Sequence, residues 1–249
     1  MNQPDVTRPV DVGSTSAVSP SLQVVLQHRI GAIIASYESV IIRLYSIIRF
    51  AILRQPFLEE IGQYLPRQGH ILDLGCGFGL FSLYFALPEP GRHIVGIDLD
   101  ARRVNMARKS AEKLGLTNVS YEVSDVLVWD SQQRFDAIYL LDIVHHLPAE
   151  RVPEFLAHTR ARLKNNGLML LKDVAPTPRY KMLFTLLLDR LVVGMEPIHY
   201  WPPDELMALL SVLGFEVVRH RMRDILPYPH ILYICRLRGR DGQASGYGP

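Results

Sequence analysis

Cysteine is scarce in this chain of 249 residues, with only Cys76 and Cys235 present. Two cysteines so far apart build no disulfide framework and offer no metal-ligand spacing. No metal site is therefore expected, and a reduced, cytoplasmic setting is the default. Charge of either sign is also scarce in excess: 27 Lys and Arg against 25 Asp and Glu leave a net charge of +2. That is too little to draw in a nucleic acid, and no basic stripe with interleaved aromatics appears, so no nucleic-acid partner is expected. A run of about 18 apolar residues is missing, because Glu38, Arg43, Arg49 and Arg54 interrupt the most apolar stretch, and no membrane-spanning helix is expected. Residues 1–20 lack the basic and apolar regions of a signal peptide and read as a flexible tail. Residues 239–249, with four glycines, read as a second tail, and no internal repeat is visible.

Against these absences stands one stretch, Ile71-Leu72-Asp73-Leu74-Gly75-Cys76-Gly77-Phe78-Gly79, followed by Leu80 to Ala86. An apolar run, an acidic residue, a glycine-rich turn and a helical segment describe strand, tight loop and helix. Glycine serves where the backbone takes positive φ or lets a ligand approach, and a helix N-terminus presents unpaired N–H groups. The loop should bind a ligand.

The rest of the chain repeats the alternation. Strands are expected at His70–Leu74, Arg92–Ile97, Asn118–Ser124, Phe135–Leu141 and Leu168–Val174, with helices at Ala101–Leu114 and Pro148–Leu163 and a turn at Asn165-Asn166-Gly167. Repeated strand–helix alternation means a parallel sheet with helices on both faces, and its ligands bind at the strand C-termini. Asp73, Asp98, Asp125 and Asp142 all fall at or just past such ends. A helix at Pro202–Leu213 leads to strands at Phe215–Met222 and Ile231–Leu237. These are too close in sequence for a helical crossover and should pair antiparallel.

Upstream, residues 21–66 form a helical cap. Leu26, Ile30, Ile33, Tyr37, Ile41, Leu44 and Ile48 recur at spacings of three and four and draw one apolar stripe, and Pro56 opens a further helix. The stripe has two readings: a face packed over the site or on a neighbour, or an interfacial helix on a membrane. Residues 175–201 form an insertion whose segment 180–193 is apolar nearly all round and must be covered or cover something.

Two cofactor classes use a glycine loop here. A dinucleotide site wants Gly-x-Gly-x-x-Gly, but the spacing is Gly75-x-Gly77-x-Gly79, with Leu80 where the third glycine would stand. Asp73 beside the loop suits an ammonium, and a sulfonium, better than a phosphate.

On these residues the chain, over roughly 67–238, resembles the class I, Rossmann-like S-adenosylmethionine-dependent methyltransferases of small molecules. The match lies in Asp73-x-Gly75-x-Gly77-x-Gly79, Asp98 after the second strand, Asp125-Val126 after the third and Asp142-Ile143-Val144-His145-His146-Leu147 after the fourth. The resemblance implies an α/β fold: a seven-stranded, mostly parallel sheet whose last strand is antiparallel. To this the chain adds the N-terminal helical cap and the insertion after strand five as a lid. It implies S-adenosyl-L-methionine as cofactor, held by Asp73, Gly75, Gly77, Asp98, Leu99, Asp125, Val126 and Leu141. Asp98 would accept the two ribose hydroxyls, Asp125 the adenine amine, and Leu99 would pack on the adenine face. These aspartates have a competing role as helix caps, which is preferred for Asp100.

Methyl transfer from a sulfonium is an in-line displacement dominated by positioning, and a base is needed only for an acceptor with a proton of high pKa. His145 and His146 are the candidate bases, with walling of the pocket as their alternative. His199, Tyr200 and Trp201 are candidates to line the acceptor pocket; Tyr37 and Tyr45 read as core. The Asn/Asp-Pro-Pro-Tyr/Phe segment of amino-nucleobase methyltransferases is missing after strand four. The apolar helices suit a small hydrophobic acceptor, such as a lipid, quinone, polyketide or isoprenoid, methylated at O, C or N. They suit equally a homodimer interface, or peripheral contact with a membrane. The competing function is a non-catalytic docking protein on the same fold, since fold alone does not fix function; a dehydrogenase ranks third on the glycine spacing.

Overall fold

The computed structural model describes residues 20–174, 199–221 and 230–237. The two expected tails and most of the 175–201 insertion lie outside the described residues. In chain order the elements are α1 (Pro20–Ser36), α2 (Val40–Ile52), α3 (Gln55–Tyr64), β1 (Gly69–Leu74), α4 (Leu80–Ala86), β2 (Arg92–Asp98), α5 (Ala101–Lys113), β3 (Val119–Val123), β4 (Phe135–Leu141), α6 (Val152–Ala161), β5 (Leu163–Val174), α7 (Pro203–Val212), β6 (Phe215–Arg221) and β7 (His230–Leu237).

The seven strands form one sheet in the order β3-β2-β1-β4-β5-β7-β6. β1 to β5 run parallel, while β7 is antiparallel to both β5 and β6. The two-residue period of the strands splits the core in two. Ile71, Ala137, Tyr139, Leu168 and Leu170 face α1 to α5, against Ile33, Leu58, Ile61, Leu83 and Val104. Leu72, Leu74, Ile138, Leu140, Met169 and Leu171 face the other way, against Phe155 and Leu156 of α6 and Leu206 and Leu210 of α7. Burial on both faces is why β4 reads as a nearly unbroken apolar run. The chain reverses direction across the sheet between β1 and β4, so the switch point lies at the glycine loop.

Two expectations are corrected. Asn165-Asn166-Gly167 is not a turn before the fifth strand but lies within β5, where the register against β4 shifts between Phe135 and Ala137. The long N-terminal stripe is not one face. The helix breaks at Tyr37-Glu38-Ser39, and α2 restarts on a new axis. Ile33 and Tyr37 point into the core, whereas Ile41 and Leu44 are exposed. Tertiary contacts hold the break: the Tyr37 hydroxyl donates to the Phe78 carbonyl at 2.7 Å, and Arg43 Nε donates to the Tyr37 carbonyl at 2.6 Å.

Candidate active site

A cavity of about 540 Å³ opens at the C-terminal ends of β1, β2 and β4, under α2. The glycine loop forms its floor, with φ of +79° at Gly75, +55° at Gly77 and +77° at Gly79. A Cβ on Gly77 would meet nothing within 4 Å, so this peptide is an open cradle. A Cβ on Gly79 would stand 2.6 Å from Tyr121 Oη and 2.8 Å from Ala107 Cβ, so this glycine lets α4 sit tight against β3 and α5. The Gly77 N–H donates to Asp98 Oδ2 at 2.8 Å, and the Asp100 N–H donates to Asp98 Oδ1 at 2.9 Å. Asp98 thus stitches the loop to the end of β2 while each oxygen keeps a lone pair for the cavity. Asp125 accepts from the Leu127 N–H at 2.9 Å, and Asp100 caps α5 through the Arg102 and Arg103 N–H groups at 2.8 and 3.3 Å. Leu99 stands 70% exposed on the cavity rim.

Asp73 is buried beneath the loop. Its Oδ2 accepts from Ser82 Oγ at 2.5 Å and from Tyr139 Oη at 2.9 Å. Burial pushes its pKa up to about 7; the two hydrogen bonds oppose that rise, and the nearby Asp98 charge adds to it.

The opposite wall is built where β4 and β5 end. Asp142 is the one described non-glycine residue with positive φ, at +60°. Its carboxylate pairs with the Lys172 ammonium and with Arg49 Nη2, the latter at 3.0 Å. Burial works to raise its pKa, but the Lys172 and Arg49 charges override this and hold it well below the usual carboxylate range. Lys172 is fully buried, and burial lowers its pKa against the pull of Asp142. A short 3-10 turn, Val144–His146, then carries His145 and His146 into the cavity wall. His145 is buried, with Nδ1 hydrogen-bonded to Asp173 Oδ1, which also accepts from the Val174 N–H at 2.8 Å. The His146 ring lies 4.1 Å from that of His145, and burial first, then the His145 charge, lower its pKa to about 4.

A glycine loop, a carboxylate at the end of the next strand and a buried imidazole backed by a carboxylate therefore border one cavity on a sheet of this topology. A methyltransferase-domain family profile matches residues 46–220, more than half of the chain. The chain belongs to this family. Among curated relatives, the methyltransferase is 32% identical over 161 residues to the ubiquinone biosynthesis O-methyltransferase of Paramagnetospirillum magneticum, covering 63% of this chain and 60% of that protein. It is 32% identical over 159 residues to the protein of the same name from Rhodopseudomonas palustris, covering 59% and 58%. The match thus spans about three fifths of these relatives' length. Its fold is similar to an O-methyltransferase family protein from Burkholderia thailandensis, with TM-score 0.63 at 18% identity over 89% of this chain and 70% of that one. It is also similar to the magnesium protoporphyrin IX methyltransferase of Synechocystis PCC 6803, with TM-score 0.59 at 20% identity over 74% and 83%.

In this methyltransferase the residues expected at a cofactor, Asp73, Gly75, Gly77, Asp98, Leu99, Asp125, Val126 and Leu141, all border the one cavity. His199, Tyr200 and Trp201 gather beside His145 instead: the His199 N–H donates to the His145 carbonyl at 2.9 Å, the Tyr200 ring stacks 5.5 Å from His145, and Trp201 meets His199 edge-on at 5.4 Å. Tyr37 is core, as expected, but Tyr45 borders the cavity. Sequence reasoning missed Arg49, Lys172 and Asp173. The last two carried signals: a lysine inside an apolar strand, and an aspartate at a strand end like the four that were noticed.

Proposed function

We propose that this methyltransferase domain binds S-adenosylmethionine in the 540 Å³ cavity and transfers its methyl group to an oxygen of a small acceptor with an apolar body. The volume suits a ligand of that size. The open Gly77 peptide leaves room for the ligand to approach the backbone. Asp98 can accept the two ribose hydroxyls with its remaining lone pairs, Asp125 can accept the adenine amine, and exposed Leu99 can cover the adenine face. When bound, the cofactor supplies a methyl group already activated on a sulfonium.

The observation that carries the acceptor half is His145 in the wall of that cavity, with Asp173 hydrogen-bonded to its Nδ1 from outside the lining. A carboxylate on Nδ1 favours the tautomer with the proton there and leaves Nε2 as the basic nitrogen. His145 then takes the acceptor's hydroxyl proton as the new O–CH₃ bond forms and the C–S bond breaks. Asp173 balances the imidazolium and holds the ring. His146, its pKa lowered to about 4, stays neutral near pH 7 and walls the pocket. Tyr45, Ile48 and Ile52 of α2 supply an apolar side to the cavity, which suits a lipid-like acceptor. The two relatives named for O-methylation in ubiquinone biosynthesis, each matched over about three fifths of its length, support oxygen as the atom methylated.

The test is label transfer from methyl-labelled S-adenosylmethionine to a panel of phenols, catechols and long-chain hydroxy compounds. Labelled ether is expected with the native chain, and a loss of about 10²- to 10⁴-fold with His145→Gln. Transfer to amines alone, or undiminished transfer by His145→Gln, would contradict the proposal.

A further inference from the structure

We infer that the exposed face of α2 docks on the surface of a lipid bilayer, so that the cavity opens at the membrane. The inference extends the proposed reading, in which the acceptor is lipid-like. α2 leaves five aliphatic side chains in solvent: Val40 at 75%, Ile41 at 77%, Leu44 at 58%, Ile47 at 51% and Ile48 at 43% exposure. At about 100° per residue they fall in a single arc of roughly 120° running the length of the helix. The opposite side is anchored by buried Ser46 and Phe50. A continuous aliphatic face of this kind is rare on a surface that meets only water.

Charge and position favour a bilayer over a second copy of the chain. Between Ser39 and Gln55 there is no acidic residue, while half-buried Arg43 and exposed Arg54 are present, a pattern that complements phosphate headgroups. Ile48 belongs both to the exposed face and to the cavity lining, where Tyr45 and Ile52 of the same helix join it. A second copy seated on this face would therefore cover the side of the cavity that Ile48 borders. A bilayer there would instead present apolar molecules to it. Arg49 also ties α2 to Asp142, just ahead of the histidine turn, so the docking helix and the acceptor wall are held together.

The full chain is to be sedimented with vesicles of phosphatidylcholine alone and of phosphatidylcholine with phosphatidylglycerol, beside the double variant Ile41→Glu, Leu44→Glu. Both side chains are exposed, so the variant should fold, which thermal unfolding and S-adenosylmethionine binding check independently of the vesicles. The native chain should bind the anionic vesicles, and more strongly than the neutral ones, with the bound fraction falling at least tenfold in the variant. No sedimentation with either vesicle, or binding unchanged by the variant, overturns the inference. So does a concentration-dependent dimer in light scattering that the same variant disperses, which would assign the face to a second copy. None of these outcomes depends on methyl transfer, so the enzymatic reading stands or falls separately.

Discussion

Gly77 and Gly79 both take positive φ, yet replacing them should damage different properties. Gly79→Ala adds left-handed strain and drives a methyl group into Tyr121 and Ala107. It should destabilise the protein by about 2–4 kcal/mol in urea unfolding. Gly77→Ala meets nothing, so only the φ term of about 1 kcal/mol applies, but its methyl group occupies the cradle. Its larger effect should be on cofactor affinity, read by calorimetry; the reverse pattern would mean that the cradle is not where the ligand lies. Asp173→Asn, close to isosteric, should lower kcat by about 10²-fold or more while leaving the cofactor Kd within about twofold. It should also move the acid limb of the pH–rate profile to lower pH, because an imidazolium without its carboxylate is easier to deprotonate. A change in stability alone, with the limb unmoved, would make Asp173 merely structural. At this scale, the residues legible in the sequence are those whose role follows from sitting at a strand end, such as Asp98 and Asp125. Arg49, Lys172 and Asp173 act through pairing across 93, 30 and 28 positions respectively, and no local pattern encodes such partners.

At the scale of elements, the strand–helix alternation was readable because buried parallel strands are long apolar runs with turn residues between them. The N-terminal helices were misread because a period of 3.6 does not report which way a face points. The apolar period continues through Tyr37-Glu38-Ser39, but the side-chain bond from Tyr37 to Phe78 breaks the axis there. That bond also joins the helical cap to the glycine loop. Tyr37→Phe should therefore cost about 1 kcal/mol of stability and weaken cofactor binding as well, although Tyr37 does not border the cavity. A stability loss with unchanged affinity would show that the cap and the loop are not coupled. The Asn165–Gly167 misreading has a similar cause: turn residues within a strand mark a shift of register as readily as a turn.

At the scale of the whole molecule, Asp73 gives the protein a characteristic pH response. Burial raises its carboxyl from an ordinary 3.8 to about 7, so folding favours the protonated form. Its contribution to stability is complete below the ordinary carboxylate range and is lost as pH rises through about 7. Asp73→Asn should consequently be more stable than the native chain at about pH 8, with the advantage fading as pH falls towards 4. Cofactor binding should run the other way: a bound ammonium and sulfonium favour the ionised carboxylate, so affinity should climb between about pH 6 and 8 in the native chain and stay flat in Asp73→Asn. A parallel climb in both would place the titrating group elsewhere. The most direct measurement of what this cavity holds is calorimetric titration of the purified chain with S-adenosylmethionine and with NAD, repeated on Asp98→Ala with thermal unfolding as a control. One site for S-adenosylmethionine, weakened by about 1.5–3 kcal/mol in Asp98→Ala, is the expected result. Binding of NAD in its place, or an affinity for S-adenosylmethionine untouched by the loss of Asp98, would contradict it.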